Sequence, residues 1–192
     1  MNLSMALRTN APVSEFLPRY AEMVEAGIVF GVSFAATAAT VASATATGPF
    51  ALFNPANSGV QLVILSVNPG FTAFTTPSAT TGFGVGLQFV PNQQPTTTSA
   101  GNTPQNTLIG SANVSKASVF TAGTLVGAPT AAGYLLESYY LDLAAADLIT
   151  NQVEVAGDIT VNPNSGIDIV VTSVTTVPTL TPSILWAEIP IS

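Results

Sequence analysis

From residue 27 onward, apolar and β-branched residues occur in runs of four to nine, which Gly, Pro, Asn and Ser interrupt. Runs of this length with such breaks are typical of β-strands joined by turns. The pattern therefore predicts a chain that is mostly β. The predicted strands are 28–34, 50–54, 60–68, 71–75, 83–90, 152–155, 158–161, 167–177 and 184–189.

Two of these strands carry apolar residues on both sides. Residues 60–67 form an almost continuous apolar run, as expected of a strand that is covered on both faces. Successive side chains of a strand point to opposite faces, so the last strand presents two sets. These sets are Ile184, Trp186 and Glu188 on one face and Leu185, Ala187 and Ile189 on the other. We predict that the C-terminal strand contacts two interfaces.

The 192 residues show no internal repeat with the period of a solenoid or a propeller. About eight strands without such a repeat close most simply as a sandwich or a jelly roll. We predict an all-β fold, a jelly-roll-like antiparallel β-sandwich over residues 27–192, after a short N-terminal arm or helix. The length suits one domain with an arm rather than two full domains.

The arm, residues 1–26, has mixed charge, with two of the three cations and three of the ten acids. Pro18 can occupy the first position of a short helix, and Gly27 can end it. A helix of about two turns needs a neighbour for its apolar face, either the chain's own sandwich or another subunit. That face would consist of Tyr20, Met23 and Val24.

Two segments depart from the strand pattern. Residues 91–113 are almost wholly polar and without periodicity, which predicts a long exposed loop or a pair of loops. Residues 139–149 predict one or two helical turns, because four apolar residues have helical spacing. These four are Leu141, Ala144, Ala145 and Leu148.

Two Asn-rich segments predict turns. In residues 54–59, Pro55 fixes one dihedral angle and Gly59 can take a positive φ, which suits a hairpin. Residues 162–166 predict a turn between two strands. The oxygen ligands around that turn would also suit calcium, although their spacing differs from that of an EF-hand, and we favour the turn. The oxygen ligands are Asp158, Asn162, Asn164 and Asp168.

Charged residues make up 7% of the chain, whereas an ordinary soluble domain carries about a quarter. Hydrophobic residues remain at 47%, so the neutral polar residues Thr, Ser, Asn and Gln take the place of charged residues and not of core residues. A surface with so little charge lacks the usual protection against association. We infer that other subunits cover much of it.

The net charge of −7 disfavours nucleic acid as a partner, because Arg8, Arg19 and Lys116 are the only cations. Residues 26–49 are uncharged and long enough to span a bilayer, but their Thr and Ser side chains are too polar for hydrocarbon, which argues against a membrane span. Residues 1–10 lack the pattern of a secretory signal, so we expect synthesis in the cytoplasm.

The residue types available for catalysis are few. Without His or Cys, the only amine that could activate a nucleophile is Lys116, next to Ser115 and near Ser118. In a strand, Ser115 and Lys116 would point to opposite faces. A glycosidase would need a pair of carboxylates, and no spacing singles out one. We predict no enzyme, no catalytic residue, no cofactor and no metal site.

Three segments resemble structural proteins of tailed bacteriophages: FALFNPANSGVQLVILSV at 50–67, GFGVGLQFVPN at 82–92 and ILWAEIPI at 184–191. The resemblance covers residues 48–192. It implies a jelly-roll protein that forms a homotrimer and decorates or cements the capsid. The implied partners are the major capsid protein and two further copies of the chain, at the capsid surface of the virion.

For such a protein, we predict capsid or subunit contacts by five residues: Arg8, Arg19, Tyr20, Met23 and Trp186. Two other readings stay open. A tail-fibre or host-recognition module would share trimeric β architecture, with the polar loop 91–113 as a possible ligand-binding surface. A secreted bacterial adhesion module would fit the Thr-rich composition.

Overall fold

The structure is a computed structural model that describes residues 20–41, 46–74, 81–92, 102–121, 123–124, 134–141, 153–172 and 178–191. In these ranges the chain forms helix α1, Ala21–Glu25, and fifteen strands. The strands are β1 Val29–Ser33, β2 Thr37–Ala38, β3 Ala46–Thr47, β4 Ala51–Asn54, β5 Val60–Asn68, β6 Phe71–Phe74, β7 Thr81–Val90, β8 Gln105–Asn106, β9 Ser118–Phe120, β10 Gly123–Thr124, β11 Tyr134–Leu141, β12 Val153–Val161, β13 Ser165–Thr172, β14 Pro178–Leu180 and β15 Ser183–Pro190.

Two five-stranded antiparallel sheets make up most of the fold. The first sheet has the order β12-β5-β15-β1-β8, and the second has the order β11-β7-β13-β4-β9. Two smaller sheets, β2-β14-β6 and β10-β3, accompany them. The prediction of an all-β antiparallel sandwich with a short N-terminal helix is confirmed.

One apolar core lies between the two sheets. It takes alternate side chains from the first sheet, such as Ile64 and Trp186, and from the second, such as Leu87 and Ile169. All four are fully buried. The ring of Trp186 stacks on Phe30 of the neighbouring strand, with 6.4 Å between ring centroids. Each large side chain buried in this way contributes about 1.5–3 kcal/mol to folding.

Helix α1 covers the outer face of the first sheet. Tyr20, Met23 and Val24 pack there against side chains of β1, β5 and β15. The chain's own sandwich thus supplies the neighbour that the short helix needs. Strand β5 is consequently buried on both faces, and β15 contacts both the inter-sheet core and the α1 layer, as the apolar pattern predicted. The sheet residues of this layer are Val29, Val63, Leu65, Leu185, Ala187 and Ile189.

Gly27 ends α1, as predicted. Its φ is +67°, and its N–H donates to the carbonyl of Val24 at 2.8 Å. The N–H of Ile28 donates to the carbonyl of Met23 at 3.2 Å, which completes a Schellman motif. Pro18 lies outside the described residues.

One prediction from the pattern was wrong, and two others need correction in part. Residues 54–59 do not form a hairpin, because β4 belongs to the second sheet and β5 to the first, so the segment crosses between sheets. Residues 139–141 pair with β7 as part of β11 and are not helical, while residues 142–150, which carry most of the predicted helical spacing, lie outside the described ranges. The polar segment 91–113 is largely exposed loop in its described part, as predicted, but Gln105 and Asn106 form β8 and pair with β1.

Other departures are smaller. Predicted strands 152–155 and 158–161 are one strand, β12, whose pairing with β5 shifts register between Glu154 and Ile159. Residues 162–166 include the predicted turn, with Asn164 at a φ of 63°. The described part of the chain contains no helix long and apolar enough to cross a bilayer.

The core between the two sheets can be tested by changing two isoleucines, one buried and one exposed. Ile169→Ala removes a fully buried side chain of β13, and we expect it to lower the free energy of unfolding by about 2–5 kcal/mol. Ile109→Ala changes a side chain that is 97% exposed, and we expect a change of about 0.5 kcal/mol or less. Urea unfolding of both variants measures the contrast, and equal effects would contradict the described core.

Candidate functional site

The two most exposed large apolar side chains in the described ranges, Ile109 and Val114, lie on one loop together with Leu108. Ile109 is 97% exposed, Val114 is 77% exposed and Leu108 is 37% exposed. We call residues 102–117 the display loop. Single exposed apolar residues are common, but several on one ordered loop mark a candidate contact surface.

The first half of the display loop is fastened to the edge of the first sheet. Residues Gln105 and Asn106 pair with β1 as strand β8. Thr107 donates to the carbonyl of Val29 twice, from its N–H at 3.0 Å and from Oγ1 at 3.1 Å. The side-chain amide of Asn102 donates to the carbonyl of Ser33. These bonds hold the loop backbone against β1.

A single carbonyl joins both halves of the loop to the end of α1. The Gly27 oxygen accepts a hydrogen bond from Nδ2 of Asn106 at 2.8 Å and from Nδ2 of Asn113 at 3.0 Å. A Cβ at position 27 would lie 2.7 Å from Asn113 Nδ2 and would push this amide away, and the φ of +67° would also strain any other residue there. The tip between them is closed by Ser111, whose N–H donates to the carbonyl of Leu108 at 3.0 Å.

The second half of the loop closes over a buried carboxylate, Glu188 of β15, which is 6% exposed. Its Oε1 accepts from the Ser115 hydroxyl at 2.6 Å, from the Lys116 N–H at 2.9 Å and from the Ala117 N–H at 3.3 Å. Trp186 Nε1 donates to the same oxygen at 3.4 Å. Charge-assisted bonds of this kind are about twice as strong as neutral ones.

This geometry tests whether Ser115 and Lys116 could act as nucleophile and base, as the sequence analysis considered. The Ser115 hydroxyl donates to Glu188, while Lys116 contributes its backbone N–H and leaves its side chain exposed. The Glu188 carboxylate also accepts hydrogen bonds from three other donors, so it holds the loop in place and is not available as a base. Serine and lysine are therefore not brought together as nucleophile and base.

Two grooves flank the display loop. A groove of about 730 Å³ lies between the loop and the outer face of the first sheet, and Ile109, Asn68 and Gln105 contribute to its lining. A second groove, of about 370 Å³, lies on the other side, with Val114 and Glu188 in its lining. The loop thus stands as a ridge between two recesses.

The contact residues predicted from the sequence lie elsewhere. Arg8 and Arg19 are outside the described residues. Tyr20 and Met23 pack on the chain's own first sheet. Trp186 is fully buried in the core between the sheets, because its alternation in β15 points it inward, so it offers no surface to a partner. Sequence reasoning missed Ile109 and Val114, because the mostly polar segment around them has no strand or helix periodicity.

The residues weighed for calcium do not converge. Asp158 is exposed on β12 of the first sheet, whereas Asp168 is buried on β13 of the second. The N–H of Asn164 donates to the carbonyl of Asn54 at 2.8 Å, in keeping with a structural turn. Within the described ranges, no three Asp or Glu residues group as metal ligands would.

Asp168 is itself unusual, because it is a fully buried acid on the outer side of the second sheet. Its Oδ2 accepts a hydrogen bond from the N–H of Gly48, where any larger residue would collide with Thr40. Oδ1 has no hydrogen-bond partner among the described residues. Burial raises the pKa of Asp168 to about 7, although the nearby N–H groups of Gly48, Phe50 and Ile169 limit the rise.

Comparisons of the chain with protein-family models, with curated proteins and with solved structures find no match. Ser115 and Lys116 are not arranged as the nucleophile and base that acyl transfer needs, because both donate to Glu188. What the geometry does offer is an ordered ridge with apolar side chains on a rigid β framework. Such a ridge can form a protein contact without first losing loop entropy.

The hydrogen bonds to Glu188 predict that two variants at this position differ in stability. Glu188→Ala removes the acceptor of several donors, and we expect it to lower the free energy of unfolding by about 2–4 kcal/mol and to speed hydrogen exchange in the display loop. Glu188→Gln keeps an oxygen for Ser115 and Ala117, and we expect a smaller loss. Hydrogen exchange and denaturant unfolding test this, and equal behaviour of the two variants would contradict the assignment.

The buried carboxyl predicts a pH-dependent stability. A pKa raised from 3.8 to about 7 means that the folded state keeps a proton that the unfolded chain releases. Stability from this group is fully present below pH 3.8 and is lost as pH rises through about 7, by roughly 4 kcal/mol in all. Asp168→Asn, neutral at every pH, should therefore gain stability over the wild type as pH rises.

The measurement is thermal unfolding of wild type and Asp168→Asn from pH 4 to pH 8. Asp158→Asn, at an exposed position, is the control and should give a difference that is nearly independent of pH in the upper half of this range. A constant gap between wild type and Asp168→Asn would show that the carboxyl ionises normally.

Proposed function

We propose that this chain is a structural protein of a tailed-bacteriophage virion, which decorates and stabilises the capsid as a homotrimer that cements neighbouring capsomers. The observation that carries the proposal is the strand order of the two main sheets, combined with the sequence resemblance over residues 48–192. The major capsid protein is the partner, and the capsid surface is the location.

We infer that the sandwich is a jelly roll. A jelly roll has eight strands, B to I, in two sheets of order B-I-D-G and C-H-E-F. Taking β1, β4, β5, β7, β11, β12, β13 and β15 as B to I gives β1-β15-β5-β12 and β4-β13-β7-β11, in agreement with the observed orders. This fold occurs in viral capsid proteins, in lectins and in cupins, so it supports the proposal without deciding the function.

The segments that carry the resemblance are the central parts of this framework. Residues 50–67 contain β4, the crossover and β5, residues 82–92 contain most of β7, and residues 184–191 contain most of β15. The resemblance therefore concerns the core of both sheets. It supports a shared fold with phage structural proteins more directly than a shared binding partner.

The surface properties also favour a part in an assembly. A chain with 7% charged residues gains little from solvation of its surface and is suited to burial against other subunits. A trimer bound at a local threefold axis multiplies weak contacts into firm attachment. The ordered display loop supplies one such contact.

A tail-fibre or host-recognition module is the second candidate, and the larger groove favours it. The groove of about 730 Å³ is lined partly by neutral amides, including Asn68, Asn102 and Gln105, which can bind the hydroxyls of a sugar. Among the described residues that line it there is no aromatic side chain, and stacking on such a ring is a common element of sugar recognition.

The proposal predicts binding to capsids. Purified chain, mixed with phage particles assembled without it, should co-sediment with them to a fixed number of copies and raise the temperature at which the particles release DNA. Light scattering should give three times the mass of the 19.5 kDa chain. Saturable binding to isolated tails or to host-cell polysaccharide, with none to the capsid, would replace the proposal with the second candidate.

A further inference from the structure

The tip of the display loop combines exposure with order. Ile109 and Val114 project into solvent, while hydrogen bonds to Gly27, Val29 and Glu188 hold the backbone on both sides of them. A loop that is already ordered loses little entropy when it binds. The two side chains are therefore already in position before a partner binds.

The chemistry around the tip restricts the partner. Residues 102–115 contain no charged side chain, and Lys116 is the first charge after them. Phosphates of nucleic acid or of acidic lipids would find almost no cations there. The complementary surface is thus an apolar recess edged with neutral hydrogen-bonding groups, as a protein of similarly low charge provides.

The size of the tip distinguishes a shell partner from a second copy of the chain. Two or three side chains make a small patch against the roughly 800 Å² per partner that a stable interface of standard size buries. A contact of this size holds only when it is repeated over an array. A capsid offers such an array, whereas a trimer in solution needs a larger interface of its own.

We propose that Ile109 and Val114 insert into an uncharged, apolar recess of the capsid shell protein, and that the edges of this recess enter the two grooves beside the display loop. This inference rests on the proposed function and names the surface through which it acts. Asn106 and Asn113 position Ile109 and Val114 through their hydrogen bonds to Gly27. They do not contact the shell themselves.

The experiment compares three forms of the full chain for binding to particles assembled without it. The test variant is Ile109→Ser with Val114→Ser, and the control is Val41→Ser, which changes another exposed valine, beside β13 of the second sheet. We expect wild type and control to bind equally and the double variant to bind about tenfold more weakly. Thermal unfolding should be the same for all three, because every changed side chain is exposed.

The outcomes separate the two proposals. Equal binding of the double variant and the wild type would overturn the assigned surface and leave the decoration role in place. Failure of the wild type itself to bind would overturn the decoration role and this inference with it. A double variant that becomes monomeric while the wild type is a trimer would assign the tip to contacts between copies of the chain instead of to the shell.

Discussion

Burial of the first sheet on both faces is the constraint on which the rest of the structure depends. Ile64 and Trp186 of β5 and β15 close the core against the second sheet, while Leu65 and Ala187 of the same strands pack under helix α1. Because the helix is fixed to the sheet, the residue that ends it, Gly27, has a fixed carbonyl. That carbonyl anchors the display loop, so core packing determines where the exposed apolar tip stands.

Much of the framework could be predicted from the sequence, because period-2 alternation and apolar runs report burial directly. Strand β5 had its bounds predicted to the residue, and the two contacts of β15 followed from its alternation. The crossover at residues 54–59 could not be predicted, since a turn with Pro and Gly looks the same whether it joins neighbours or opposite sheets. Strand β11 depends on its partner β7, which local spacing does not reveal.

The candidate site was harder to predict than the fold, because its residues have no distinctive spacing. Ile109 and Val114 lie in a mostly polar segment, and tertiary hydrogen bonds hold them in place, such as those from Asn106 and Asn113 to a carbonyl some eighty residues earlier. Trp186 was predicted to be a contact residue, but the alternation of β15 places it in the core. The burial of Asp168 likewise results from the segment around Gly48 that covers it, a tertiary contact without a local signal.

An antiparallel β-sandwich, a surface with few charges and an ordered apolar ridge agree with a protein that works by attachment. The central claim, that the chain decorates a capsid, is tested most directly by electron cryomicroscopy of phage particles that contain it. The account predicts density for this sandwich on the outer shell between capsomers, with the display loop against the shell. Density at the tail alone, or no density in the particle, would contradict it.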